Sequence, residues 1–334
     1  MLDFAGKRWW YILVSGILFA LAAGALLLWQ LQPGIEFTSG SSFTLEFTEQ
    51  TVNQDALRTR LKELGHEEAR IQGQSGSSCT QCFVIRTREL QNAPNLGDAA
   101  GPVPSGEIDQ LEAGLRERFG SLNRKDFSTV SSTVSSEIAR NATLAVLAAC
   151  VAILIYISIV FRQVPNPWRY GTAAIVAVMH DAVLVLGLFA FLGEFYGTEV
   201  DTAFITALLT VIGFSVHDTI VVFDRIRETV TNDPYIPFEE AVNASMTETL
   251  ARSINTSFVV VLTVLAMLLI GGVTIRNFLI VLLVGIICGT YSSIGIASQI
   301  LVAWENNDIG KFIARRRGKG SGGNGEGEPS IAQA

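Results

Sequence analysis

The stretch GFSVHDTIVVFDRIRE, residues 213–228, sets His217 and Asp218 inside an apolar run that begins near Thr202. Both side chains can exchange protons. A carboxylate in hydrocarbon is unfavourable by several kcal/mol, so an acid in such a run marks a proton or ion pathway by default. His180 and Asp181 (AVMHDAVL) form a second pair in the preceding run. Each pair lies about ten residues, roughly 15 Å, from the same end of its helix. Two upright antiparallel helices would bring them to one depth.

A carboxylate whose surroundings alternate between apolar and cationic can take up a proton on one side and release it on the other. The candidate cation is Arg252, in TLARSINTSF. An interfacial Arg snorkelling to water explains it equally well. Along the fourth run Thr206, Thr210, Gly213 and His217 share one face, small and polar, suited to packing against a neighbouring helix. Asp218 is turned about 100° from that face.

The elements that must position these groups follow from composition. The 334 residues are 49% hydrophobic and only 16% charged, with the charges crowded into a few segments. That is the pattern of an integral membrane protein with one extramembrane domain. Apolar runs long enough to span a bilayer cover 9–31, 142–161, 171–192, 202–223, 254–271 and 277–301. Residues 1–8 precede the first span, 32–140 form the outer domain, and 141–304 carry spans two to six. The first run is too long and its exit too poor for a cleaved signal, so it is expected to stay. Lys7 and Arg8, Arg162 and Arg169, Arg225 and Arg227, and Lys311 to Lys319 fall on one side, which the positive-inside rule makes cytoplasmic together with both termini.

In 32–140 the periodicity changes. Phe43, Leu45 and Phe47 alternate as in a strand, 52–64 has helical spacing, and strands are expected at 69–74 and 82–88. A Pro- and Gly-rich loop leads to a helix at 105–119 capped by Ser105 or Gly106, and a last strand at 126–134 feeds the second span. The order β-α-β-β-α-β predicts a ferredoxin-like α+β domain. Cys79 and Cys82 lack the further ligands of a metal site, and CTQC precedes a strand rather than opening a redox helix. A local disulfide or two free thiols remain.

Gly16, Ala20 and Gly24, and Gly285, Gly289, Ser293 and Ala297, repeat small residues every fourth position, as in helices whose backbones touch. Residues 237–250 read as an amphipathic helix lying at the cytoplasmic interface. Asp224, Arg225, Arg227 and Glu228 read as the charged end of span four. Residues 305–334 are basic and then Gly-rich, a composition expected to be disordered.

Three motifs resemble a known family. GIEFTSG, with Gly34, Phe37 and Gly40, resembles the GIDFTGG of SecF proteins; GFSVHDTIVVFDRIRE, with Gly213, Ser215, Thr219, Asp224 and Arg225, resembles their fourth-span motif; TLARSINTSF resembles their TLSRTI-x-TS. One span, an outer domain and five more spans is the architecture of the SecD/SecF family, within the RND superfamily of proton-driven transporters. The resemblance implies a protein-export subunit that works with SecD beside the SecYEG channel and promotes translocation of secreted polypeptides. It implies protons as the coupling ion, with Asp218 on the proton pathway and Arg252 working with it. No ATP-binding G-x-x-x-x-G-K-[ST] occurs, and no cofactor, metal, nucleic-acid partner or enzymatic reaction is expected. Ser39 stands where the family has Gly, and His217 where Asn is usual. His217 either exchanges protons or donates one hydrogen bond as Asn would. A structural subunit whose partner holds the proton path, or an RND-type small-molecule or lipid exporter, are the competing functions.

Overall fold

The computed structural model describes residues 3–49, 51–76, 79–90, 106–162, 166–272 and 275–306, the side chains of 74–76, 79 and 80 apart. The loop at 91–105, with Ser105, and the tail from 307 lie outside them.

After the long helix α1 (Arg8–Trp29) a short helix α2 (Ile35–Thr38), too short to show in any periodicity, leads into the α+β domain. Strand β1 (Gly40–Phe47) buries Phe43, Leu45 and Phe47, as its alternation requires. Helix α3 (Gln54–Glu63) starts where Asn53 accepts the Asp55 N–H, and turns Leu57 and Leu61 to the sheet. Strands β2 (Arg70–Gly76) and β3 (Cys79–Thr87) follow. Helix α4 (Glu107–Phe119) opens at Gly106, whose N–H donates to Asp109 at 3.1 Å. Strand β4 (Leu122–Val130) completes an antiparallel sheet in the order β2-β3-β1-β4. Both helices cover one face, around Phe43, Leu45, Ile85, Leu57 and Leu115. Gln72, Val84 and Arg86 belong to the other face and turn toward the helical bundle.

The last strand ends earlier than the pattern at 126–134 suggested. Ser131 instead caps α5 (Ser132–Val160), accepting the Val134 N–H, so the second long helix begins inside the expected domain. Then come α6 (Pro167–Tyr196), α7 (Thr202–Asn232), α8 (Phe238–Ile270), α9 (Arg276–Ser292) and, after a π-helical turn at Ser293–Ala297, α10 (Ser298–Glu305). Among the described residues six helices are long and apolar enough to cross a membrane. In their most apolar windows α6, α7 and α9–α10 are 44%, 50% and 50% buried, against 6% to 17% for the other three, so they form the centre of the bundle.

Two expectations about the helices are corrected. Residues 237–250 are not a separate interfacial helix but the first turns of α8, continuous to Ile270. Their apolar face packs inward through Ala241, Val242 and Met246, and Ser245 shares a 2.9 Å hydrogen bond with Thr229 of α7. In α1 Gly16 and Ala20 face outward; the backbone contact is made by Ala22 against Gly187 of α6, where a Cβ on Gly187 would collide. The α6–α7 interval then closes on the domain linker. Val200 N–H donates to Gln32 O, and Gly34 N–H to Val200 O, each at 2.8 Å.

Candidate functional site

The contact of α7 with α9 sets the geometry. A Cβ on Gly285 would overlap Val211, and one on Gly289 would lie 2.9 Å from Ser215 Cβ, so only glycine admits this closeness. Ser293, on the same face, shares a 2.9 Å hydrogen bond with Thr219 Oγ1. The π-helical turn begins here, and its loosened backbone takes side-chain bonds: Ser298 Oγ donates to Ser293 O at 2.9 Å, Gln299 Nε2 to Ile294 O at 3.2 Å.

Asp181 sits at this seam, 1% exposed. Its Oδ2 accepts two short hydrogen bonds, from Ser215 Oγ and Ser292 Oγ, both 2.6 Å, and His180 Nδ1 lies 3.2 Å from Oδ1. Three helices are thus tied at one carboxylate, and both its oxygens have partners. Ser292 gave no sign of this in the sequence, where it is one of many small residues in an apolar run.

Asp218 is 6% exposed and differently held. Oδ1 accepts from Ser253 Oγ of α8 at 2.6 Å, while Oδ2 is buried with no hydrogen-bond partner among the described residues. Asp181 meets α7 at Ser215, three residues before Asp218 and so about 4.5 Å along the axis, which brings the two acids to neighbouring depths.

Arg252, the expected partner, forms no ion pair with Asp218. Its exposed side chain lines a hollow of about 360 Å³ with Asp224, Arg225, Glu228 and Glu248. Adjacent helical residues diverge by about 100°, so turning Ser253 to α7 turns Arg252 away. Asp224 pairs with Arg227 at 2.9 Å and Arg225 with Glu228 at 2.6 Å and with Glu248, which ties the charged ends of α7 and α8 together.

The stripe of Thr206, Thr210, Gly213 and His217 is exposed along its whole length. Among the described residues no helix packs on it, and nothing lies within 4 Å of a Cβ at Gly213. The two threonines satisfy their hydroxyls on the preceding turn, at 2.9 Å and 2.8 Å.

In the first motif, Phe37 packs against the bundle core. Gly40 has φ +125°, and a Cβ there would approach Thr87 O to 2.5 Å. Ser39 has φ 62°, ψ 165°, a region almost confined to glycine. Cys82 is disulfide-bonded, whereas Cys150 and Cys288 are free; the Cys79 side chain lies outside the described ones.

Comparison with known proteins identifies the family of the chain. Residues 110–307 match the family "Protein export membrane protein SecD/SecF, C-terminal". The chain is 41% identical to the protein translocase subunit SecF of Thermobaculum terrenum, over 94% of its own length and 98% of the relative's. It is 36% identical to SecF of Anaerolinea thermophila, with the same coverage. A crystal structure of SecDF, a translocon-associated membrane protein from Thermus thermophilus, superposes with a TM-score of 0.77 at 33% identity, covering 91% of this chain and 39% of the larger one. With its six apolar helices this is a multi-pass membrane protein, and it belongs to the SecF family of protein translocase subunits.

Proposed function

We propose that this chain is a proton-coupled subunit of a Sec export complex in the cytoplasmic membrane. Both termini lie in the cytoplasm, and the α+β domain, of ferredoxin-like type, lies on the opposite side. The chain works with SecD beside the SecYEG channel, uses the proton gradient to promote translocation of exported polypeptides, and carries out no enzymatic reaction of its own.

Asp218 carries the reading. It is a deeply buried carboxylate with one oxygen held by Ser253 and the other free to take a proton. The fully partnered Asp181 serves to hold α6, α7 and α9 together, and is not the carrier. Arg252 reaches Asp218 in a second conformation, in which a rotation of α8 by about one residue step exchanges Ser253 for Arg252. Proton uptake and helix rotation are then one event.

The exposed stripe beside Asp218 supports a partner bundle. Small residues with internally satisfied hydroxyls suit close contact with another membrane helix better than contact with lipid. SecD is the natural occupant, because relatives from Thermus thermophilus and Bacillus subtilis are single SecDF chains of which this sequence spans 38% and 39%.

The test is translocation of a secreted protein into inverted membrane vesicles, with and without a proton gradient, comparing wild type with Asp218→Asn at equal membrane levels. Loss of the gradient-stimulated part with ATP-driven translocation intact is expected. Unchanged stimulation would overturn the reading and leave a structural companion.

A further inference from the structure

The α+β domain rests on the bundle at a joint outside the spans, and the joint contains a buried ion pair. Arg86, on the β3 face turned from the domain core, pairs with Glu199 in the α6–α7 interval. Glu199 is 7% exposed, and the Arg86 side chain retains 24% exposure. Gln72 Nε2, on neighbouring β2, donates to Tyr196 O at 2.8 Å, and Asn277 Nδ2 of α9 lies 3.5 Å from Glu199 O. The carboxylate is thus closed in by the domain on one side and the bundle on the other.

We propose that Glu199 is a proton-binding site separate from Asp218, and that its protonation state sets how firmly the α+β domain docks on the bundle. Removing the domain would take away Arg86 and return Glu199 to water, so the two protonation states differ in energy between docked and released forms. A buried pair of this kind is not held by attraction alone, because dehydrating two ions offsets much of their mutual attraction.

The charged groups around the site fix the direction. From the domain, Arg86 and Arg70 draw the proton off, and Arg58 of α3 lines the same cleft. From the other side come acids. Asp201 begins α7, accepting the Phe204 N–H at 2.6 Å, and Glu36 of α2 accepts the Thr202 N–H at 2.5 Å. Glu194 of α6 and Arg276 of α9 line the cleft walls. Burial is the largest influence and outweighs the arginines, pushing the Glu199 carboxyl up from its ordinary 4.5 to about 7. Docking therefore takes up a proton. The docked form gains as pH falls from about 7 toward the free carboxyl's 4.5, and that gain is gone once Glu199 is ionised above 7. Burial also pushes the Arg86 guanidinium down, but it stays charged, and its partial exposure supplies water when Glu199 is neutral.

The experiment places nitroxide labels on the full chain in lipid nanodiscs, at Thr59→Cys on α3 and Gly272→Cys beyond the end of α8, both exposed. Cys150→Ala and Cys288→Ala remove the free thiols. Distance distributions are recorded between about pH 6 and pH 8.5, with infrared detection of the protonated carboxyl. Docking is expected to weaken by a factor on the order of ten across that range, seen as growth of a longer-distance population while the Glu199 carboxyl band fades. Glu199→Gln, neutral throughout, should stay docked at every pH and lack the band. A wild-type distribution that ignores pH overturns the proposal, as does a pH response unchanged in Glu199→Gln. A Glu199→Gln protein that folds by size exclusion but stays undocked also overturns it, since the charge pair would then be the latch. No transport is read, so the result stands apart from the role of Asp218.

Discussion

Ser253 donates a 2.6 Å hydrogen bond to Asp218 across the α7–α8 contact, while Arg252 beside it points to the charged end of the bundle. The serine keeps one carboxylate oxygen occupied and leaves the other without a donor. Asp181 accepts from two serines and abuts His180. Two intramembrane acids of one chain are therefore held differently, one with an oxygen unpartnered among the described residues and one tying three helices together.

Ser253→Ala removes the hydrogen-bond donor to Asp218 but little volume. An unmade bond to a buried acceptor costs about 1–3 kcal/mol, so gradient-driven translocation should fall roughly tenfold. Ser253→Thr keeps the hydroxyl and should retain most activity. Translocation into inverted vesicles measures both, and equal activity of Ala and wild type would remove Ser253 from the site.

Asp181→Ala should act on stability instead. It leaves the Ser215 hydroxyl without its acceptor in a dry seam, while Ser292 keeps only its bond to Gly289 O, and it opens a cavity, a loss of about 2–4 kcal/mol. Thermal unfolding in detergent should show a clear drop for this variant and little change for Asp218→Asn, whose carboxylate has one hydrogen bond to lose.

Ser39→Gly should stabilise the chain. Ser39 occupies φ 62°, ψ 165°, and relief of such a conformation is worth about 1 kcal/mol or more. Gly40→Ala should do the reverse, because the new Cβ would press on Thr87 O. Melting curves of the two variants should bracket wild type.

His66 makes the α+β domain acid-sensitive. It is 3% exposed, with Nδ1 2.9 Å from Thr87 Oγ1, and burial holds its pKa below the usual 6.5. The unfolded chain binds the proton more readily, so the contribution to stability is full above about 6.5 and is lost as pH falls below it. The acid limb of the domain's stability profile should flatten in His66→Gln.

Local periodicity and apolar length were legible along the chain before any folding was known. Six hydrophobic runs, the alternation at Phe43, Leu45 and Phe47, and the spacing of Leu57 and Leu61 depend only on neighbours along the chain, and a helix or strand covers each, although α5 and α8 start ten or more residues before their apolar runs. The acids were legible as well, because Asp181 and Asp218 are out of place in hydrocarbon whatever surrounds them. Their partners were not. Which face of α7 stays bare, whether Ser253 or Arg252 meets Asp218, and that Ser292 binds Asp181 all depend on helix rotation, which packing at Gly285, Gly289 and Ala22 decides. The pairing of Arg86 with Glu199 joins two bodies that share no local pattern. A hydrogen bond between residues far apart in the chain leaves no periodic mark, and only the tertiary structure could bring such pairs within reach.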